Sequence, residues 1–311
     1  MKYPTCCLAL LLLFVLTTVT LAEDIGFRFE QSENSVTILH NEVAIASYVF
    51  DDPEITRPYL AHVKTVSGIQ ITRNHPPQPD DPQDHANFHP GIFLAFGDIN
   101  GNDYWRLKSK VKHAGFVEPP NSKTGAFTVE NHYLDQDGSK AICVEKCRYQ
   151  FVENGGGYLI LMQSEFHSSE NEFYFGDQEE MGLGARLATP LREKNGTGRI
   201  LNSEGQETAA LTWGQEAKWV DYSGEIKDHH VGIMMMTHPS NARPSWWHNR
   251  DYGLFAANLF GRKAMKQGEI SKITVQPGEI FKLGFGVYVH EGDPSVNDLQ
   301  VTYKRYVKLS N

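Results

Sequence analysis

The sequence has 311 residues, a formal net charge of −9 at pH 7, 40% hydrophobic residues and 22% charged residues. Nucleic-acid binding requires a basic face for the phosphate groups, so this negative charge argues against a nucleic-acid partner. All-β folds can reach a length close to 300 residues as one domain, and we expect one domain over residues 23–311.

The N-terminus has the pattern of a secretory signal peptide. Lys2 precedes an apolar run from Cys6 to Val19, and Ala22 stands directly before an acidic pair. The run is shorter than the ~20 residues that a membrane-spanning helix needs, and its charged start and small-residue end are typical of cleaved signals. We therefore predict a signal peptide over residues 1–22, a secreted or periplasmic protein, and no membrane contact after cleavage.

Two cysteines follow the predicted signal, Cys143 and Cys147. If both lie on one strand, four residues separate their Cα atoms by ~13 Å, which is too far for a disulfide. We expect both to be buried free thiols.

Short runs of alternating or β-branched residues, separated by turn residues, fill most of the chain. This rhythm is typical of a β-sandwich or a β-barrel. The clearest predicted strands are Ser35–His40, Val43–Phe50, Ile92–Ile99, Ala126–Tyr133, Lys140–Val152, Tyr158–Phe166, Val231–Thr237 and Ile280–Val289.

One helix is predicted, at the C-terminus. Ser295 and Asp298 have the spacing of a capping box, in which two side chains satisfy free amides of the first turn. Apolar and aromatic residues then fall on one face, and we expect that face to cover an edge or end of the sheets. These residues are Val296, Leu299, Tyr303 and Tyr306.

Two segments interrupt the strands and are rich in chemically active side chains. The first is Asn74–Pro90, which contains His85 and His89, and the second is Thr237–Tyr252. Loops this long in a compact β domain are usually functional or disordered, and their histidines and tryptophans favour function. His85 and His89, next to Asp84, can be solvated loop residues, acid/base or substrate-contacting groups, or metal ligands.

A third segment, Phe175–Arg186, combines acidic residues with glycines at a strand boundary. Glycines there allow a ligand or another backbone to approach closely, and a carboxylate such as that of Glu180 can act as a base. The alternative is a surface turn in which Asp177 pairs with Arg186.

The adjacent tryptophans Trp246 and Trp247 precede His248 in the second loop. Sugar rings present C–H faces and hydroxyl edges, which suit an indole wall with Arg250 and Asp251 beside it. The alternative is that the indoles fill the end of the sandwich.

Several motifs taken together resemble the PmoA-like family of exported bacterial proteins. The resemblance spans roughly residues 57–289 and includes Arg57-Pro58-Tyr59, Thr72-Arg73, Pro76-Pro77, His85, His89, Phe96–Gly101 with Trp105, Phe175-Gly176-Asp177, Gly182-Leu183-Gly184 with Arg186, His238–Asn241 and Trp247–Gly253.

This resemblance implies a fold and a class of ligand. The fold is an all-β, large two-sheet antiparallel β-sandwich, of the supersandwich or mutarotase-like kind, with a short C-terminal helix. The ligand is a small molecule or an oligosaccharide, and any cofactor is left open.

The leading hypothesis is a secreted carbohydrate-active enzyme that performs epimerisation, elimination or hydrolysis by acid/base chemistry. The proposed catalytic residues are His89, Glu180, His238 and His248, and no metal ligand is assigned. The proposed substrate-binding residues are His85, Arg186, Trp247, Arg250 and Asp251. Two alternatives stay open: a non-catalytic glycan-binding module, and a metal-dependent oxidoreductase using His85, His89 and a third histidine, as the family's methane-oxygenase label suggests.

Overall fold

The computed structural model describes residue 1 and residues 26–311. Apart from Met1, the predicted signal peptide therefore lies outside the described residues. Within the described part of the chain, no helix is both long enough and apolar enough to cross a membrane.

Strands dominate the chain between residues 26 and 311. The strands are β1 (Phe27–Gln31), β2 (Ser35–His40), β3 (Val43–Val49), β4 (Tyr59–Ala61), β5 (Ile92–Phe96), β6 (Val111–Asn121), β7 (Ala126–Leu134), β8 (Ala141–Asn154), β9 (Gly157–His167), β10 (Phe173–Phe175), β11 (Met181–Arg186), β12 (Arg199–Asn202), β13 (Trp219–Ile226), β14 (His229–Thr237), β15 (Trp246–Trp247), β16 (Leu254–Asn258), β17 (Ile273–Val275) and β18 (Ile280–Glu291). The helices are α1 (Ala209–Thr212), α2 (Val296–Leu309) and a 3-10 turn at Thr189–Leu191.

These strands form two large antiparallel sheets. Sheet I has the order β1-β2-β3-β4-β5-β11-β16-β15, and sheet II has the order β12-β13-β14-β18-β9-β8-β7-β6. Strands β10 and β17 form a separate pair. The expected all-β fold with two antiparallel sheets and a short C-terminal helix is confirmed.

The main apolar core lies between the two sheets, and side-chain alternation builds it. On β5, Ile92, Leu94 and Phe96 enter this core, while Phe93 belongs to a separate apolar cluster on the other face of sheet I. Phe96 of sheet I meets Phe166 of sheet II edge to face, with ring centroids 5.5 Å apart. Each central strand of sheet I therefore presents every second side chain on its outer face.

The predicted strands are all present, and their ends differ from the prediction by at most three residues. Cys143 and Cys147 are both buried and unbridged on β8, as predicted.

The C-terminal helix begins with the predicted capping box of Ser295 and Asp298. It packs on the outer face of sheet II, where Tyr303 and Tyr306 join Leu161 and Met234 in a second apolar cluster. The expectation that it covers an edge or end of the sheets is wrong, because a broad apolar patch lies in the middle of this face. Val296, predicted to lie on the covered face of this helix, is 53% exposed.

Candidate functional site

Small residues line the outer face of sheet I at its centre. Ala95 of β5, Gly184 of β11 and Ala256 of β16 lie on this face, between Phe93 and Trp105. A Cβ atom on Gly184 would lie 2.9 Å from the Phe93 ring and 3.1 Å from the Trp105 ring. Glycine is required at position 184 because these two rings pack directly on the strand.

The loop over residues 74–90 lies against this face because two buried arginines bind its backbone. Arg73 donates to the carbonyl oxygens of Pro82 at 2.9 Å and Asp84 at 2.7 Å, and also to those of His85 and His89. Arg57 donates to the carbonyl oxygen of Phe88. These contacts place the two loop histidines over β5.

A series of stacked rings connects the two long loops. His89 stacks on Phe93 with centroids 5.7 Å apart, and His85 stacks on His89 at 4.9 Å. His85 also stacks on Tyr252, the last residue of the second loop, at 6.1 Å. The two loops that the sequence analysis singled out therefore meet on the outer face of sheet I.

His89 is only 1% exposed, whereas His85 is exposed. Neither ring nitrogen of His89 has a hydrogen-bond partner among the described residues. Burial, followed by the positive charge of Arg186, holds the pKa of His89 well below its usual value, so the ring is neutral. His89 lies behind the surface that a ligand would reach, and its role in proton exchange stays a prediction.

Arg186 is buried and pairs with the first loop. Its guanidinium binds both carboxylate oxygens of Asp84 at 2.9 Å and lies 4.6 Å from the centroid of the Tyr252 ring. Partial burial acts to raise the pKa of Asp84, but hydrogen bonds from Arg186 and His85 lower it to about 2. Arg186 joins the first loop to the second, and its predicted role in substrate binding stays a prediction.

Asp177 does not pair with Arg186, so that alternative is wrong. Its carboxylate accepts from the backbone amides of Lys263 at 3.0 Å, Ala264 at 2.9 Å and Ser271 at 2.6 Å. A carboxylate satisfied by three backbone amides stabilises a turn and has a structural role.

Asn258, at the end of β16, positions the neighbouring acidic segment. Its Nδ2 atom donates to the carbonyl oxygens of Gln178 at 2.8 Å and Glu179 at 3.0 Å. Its Oδ1 atom accepts from the amides of Phe260 and Gly261. The backbone that carries Glu179 and Glu180 is therefore fixed to sheet I.

Two carboxylates and two arginines alternate beside the stacked rings. Glu180 forms an ion pair with Arg106, and Glu179 pairs with Arg250 at 3.3 Å. Burial raises the pKa of Glu180 above its usual value; Arg106 opposes this rise, and the negative charge of Glu179 adds to it. Glu180 is thus a carboxyl group whose proton affinity has been increased.

His248 lies beneath the Glu179–Arg250 pair. Its Nε2 atom accepts from Nε of Arg250 at 3.3 Å, and its Nδ1 atom lies 4.0 Å from Oε2 of Glu179. Burial, followed by the positive charges of Arg250 and Arg106, lowers the pKa of His248 to about 3. The ring is neutral, and because Nε2 accepts, its single proton lies on Nδ1 and faces Glu179.

His238 and Trp247 do not join this cluster. His238 packs on Tyr306 of α2, with centroids 5.8 Å apart, on the outer face of sheet II, and its Nδ1 atom bonds Ser240 at 2.6 Å. Trp247 lies in the core between the sheets, and its Nε1 atom donates to the carbonyl oxygen of Ala217 at 2.9 Å. Grouping His238 with His89 was wrong, and Trp247 fills the core instead of contacting a ligand.

A cavity of about 660 Å³ lies next to this cluster. Arg250 belongs to both, and the exposed Asp251 lies at the cavity. We call it the Trp213 cavity; its lining includes Glu193, Ala209, Trp213, Asn249, Arg250 and Asp251.

Sequence reasoning assigned no role to Arg106, Trp213 or Tyr252. Arg106 and Trp213 both lie outside the two loops: Arg106 follows β5 of sheet I, and Trp213 directly follows α1, between β12 and β13 of sheet II. Tyr252 lies at the very end of the second loop, where its aromatic ring was a usable signal. Among residues 26–311, no group of three or more His, Cys, Asp or Glu side chains is arranged to hold a metal ion.

Several solved structures are similar to the chain at low sequence identity. A galactose mutarotase-like protein from Clostridium acetobutylicum is 11% identical with a TM-score of 0.42, and the match covers 88% of this chain and 100% of that one. Another, from Lactobacillus casei, is 9% identical with a TM-score of 0.40, covering 85% and 100%. Heparan sulfate lyase from Pedobacter heparinus is 8% identical with a TM-score of 0.37, covering 88% of this chain but only 36% of the lyase.

No curated protein matches the chain. The family model that does match describes a family of unknown function, DUF6807, and covers residues 35–304. The PmoA-like family expected from the motifs is not found, so that assignment is wrong, and the oxidoreductase alternative drawn from its label loses its basis. The chain belongs to the family of unknown function DUF6807.

Proposed function

We propose that the protein binds a sugar on the outer face of sheet I and performs acid/base chemistry on it, with Glu180 transferring the proton. We also propose that it does so as a secreted or periplasmic protein. The observation that carries this proposal is the position of Glu180. Its pKa is raised, and it lies where the two long loops meet, beside Arg106 and the Glu179–Arg250 pair.

The polar groups around Glu180 suit a sugar. Each hydroxyl group of a sugar can donate one hydrogen bond and accept others, so its site needs both donors and acceptors. Glu179 and Glu180 supply acceptors, while Arg106 and Arg250 supply donors. The opposite charges balance, which favours a polar ligand without a large charge of its own.

A proton-transfer reaction needs a second group besides Glu180, and His85 is suitably placed. Its Nδ1 atom bonds the Asp84 carboxylate at 3.0 Å, which leaves Nε2 for a ligand. In the tautomer that donates the Nδ1 proton to Asp84, Nε2 is a hydrogen-bond acceptor. This pair fits epimerisation, elimination or hydrolysis, and Arg106 or Arg250 would stabilise negative charge that develops on the sugar.

The test uses a panel of neutral and acidic mono-, di- and trisaccharides, scored for binding and for product. Glu180→Gln keeps the shape of the side chain and removes its acid/base function. We expect turnover to fall by about 10²- to 10⁴-fold while binding changes little. The matched control is His132→Gln on β7 of sheet II, which is expected to keep full turnover. Unchanged turnover in Glu180→Gln would exclude Glu180 as the proton carrier.

A non-catalytic glycan-binding role is the second candidate. It is favoured by one observation, that Glu179 and Glu180 are each already paired with an arginine. Saturable sugar binding without any product on the same panel would support this role over catalysis.

A further inference from the structure

We propose that the Trp213 cavity is a second sugar subsite, so that the ligand is an oligosaccharide whose second ring is uncharged. This inference rests on the proposed function, because it extends the site around Glu180 by one ring.

The two sites are joined by one side chain. Arg250 contacts Glu179 at 3.3 Å, and its guanidinium carbon lies 5.8 Å from the centroid of the Trp213 ring. Its chain neighbours Asn249 and Asp251 line the cavity, while His248 lies under the first site. A ligand that spans Arg250 would therefore occupy both sites at once.

The size of the cavity and its aromatic wall fit a sugar ring. Its volume of about 660 Å³ falls within the range of small-molecule sites. Trp213 is half-buried and belongs to none of the three apolar clusters of the described chain. A large indole that is left partly open at a cavity can pack against the C–H face of a sugar.

The wall of the cavity also contains polar atoms that lack partners. Asn249 is buried and donates to Oγ1 of Thr212 at 2.8 Å, but its Oδ1 atom has no partner among the described residues. The same is true of Nε1 of Trp213. Buried polar groups are normally satisfied, and both of these unpaired atoms belong to residues that line the cavity.

The charges around the cavity set the kind of ring it accepts. The Glu193 carboxylate accepts from the amide of Ala209 at 2.9 Å, and Asp251 is exposed at the cavity. Lys266 lies 5.4 Å from the Trp213 ring. The two carboxylates are balanced by the positive charges of Arg250 and Lys266, so we expect a neutral sugar there.

The panel of mono-, di- and trisaccharides described above is screened first. Calorimetry then measures the affinity for two series of increasing chain length, from glucose to cellotriose and from xylose to xylotriose. We expect the disaccharide of a binding series to bind about tenfold or more tightly than its monosaccharide. Trp213→Ala is expected to remove this gain. Tyr174→Ala is the matched control, since Tyr174 is also a partly exposed ring next to a lysine, Lys272, and it should keep the gain.

Three outcomes are informative. Equal affinity for mono- and disaccharide would overturn the second subsite and leave the proposed function intact. If both Trp213→Ala and Asp251→Ala still bind the disaccharide more tightly than the monosaccharide, the second subsite is also overturned. Asp251→Ala provides the test if the Trp213→Ala variant does not fold. Failure of every sugar in the panel to bind would overturn the proposed function together with this inference.

Discussion

Asp84 binds two side chains of the candidate site. It binds Arg186 with both oxygens at 2.9 Å and His85 at 3.0 Å. Arg186 is buried in sheet I, while the Asp84 side chain is 39% exposed. The orientation of the exposed imidazole, and so of the ring nitrogen offered to a ligand, depends on this carboxylate.

Asp84→Asn is expected to lower the free energy of unfolding by about 1–3 kcal/mol, because it leaves Arg186 without a charged partner. Because the carboxylate is partly exposed, solvent screening keeps the expected loss of stability below that for a fully buried ion pair. The measurement is urea unfolding at pH 7, with Asp80→Asn in the same loop as the control. Equal stability of the Asp84 variant and the wild type would contradict the structural role of the pair.

The pKa of Asp84 gives this contribution a pH dependence with a defined sign. A carboxyl whose folded pKa is below its ordinary value of 3.8 stabilises the fold above that value. The contribution is lost as the pH falls from about 4 through the folded pKa of about 2. The stabilities of wild type and Asp84→Asn should therefore approach each other over this interval.

Strand β11 shows which features of the site could be predicted from the sequence of one strand and which could not. The sequence shows the alternation of side chains along this strand. Leu183 and Ala185 lie in the core, and Gly184 and Arg186 lie on the outer face. The glycines predicted the close approach of a ligand or another backbone, whereas at Gly184 an aromatic side chain approaches. The group that approaches, Trp105, lies about 80 residues earlier in the chain, and only the pairing of β5 with β11 brings it there.

Gly184→Ala is expected to destabilise the protein by about 1–3 kcal/mol, since the added methyl group overpacks Phe93 and Trp105. The near-ultraviolet circular dichroism should change as Trp105 moves. Gly155→Ala is the control, because a Cβ atom at position 155 meets nothing within 4 Å. Similar loss of stability in both variants would show that backbone effects of glycine, and not the packed rings, are responsible.

At the scale of the whole molecule, the fold class followed from strand rhythm, but the composition of the site did not. Both long loops supply the site, and this convergence depends on a strand order in which β5, β11 and β16 are neighbours. His238 follows β14 of sheet II and lies on the opposite outer face, while Trp247 of β15 lies in the core. The local sequence shows how side chains alternate along a strand. The pairing of strands that are distant in the sequence decides which loops lie on the same face of a sheet.

Histidines whose pKa is lowered by burial occur in several parts of the described chain. Burial is the main cause that lowers the pKa of six described histidines below 6.5: His62, His75, His89, His113, His238 and His248. His113 lies on β6 of sheet II, His62 follows β4, and the other four lie in the two long loops, so several parts of the fold contribute to the pH dependence of stability.

The protein should therefore lose stability as the pH falls from 6.5 to 4.5. In this window the unfolded chain binds protons at its histidines, while His248, with a folded pKa of about 3, stays neutral in the native state. For His248 this loss is up to about 3 kcal/mol, from about 1.4 kcal/mol per pH unit. His248→Asn should make the slope of unfolding free energy against pH shallower in this window and leave it unchanged between pH 7 and 8. An equally steep slope in the variant would mean that His248 is protonated in the folded protein, where its Nε2 atom could no longer accept from Arg250.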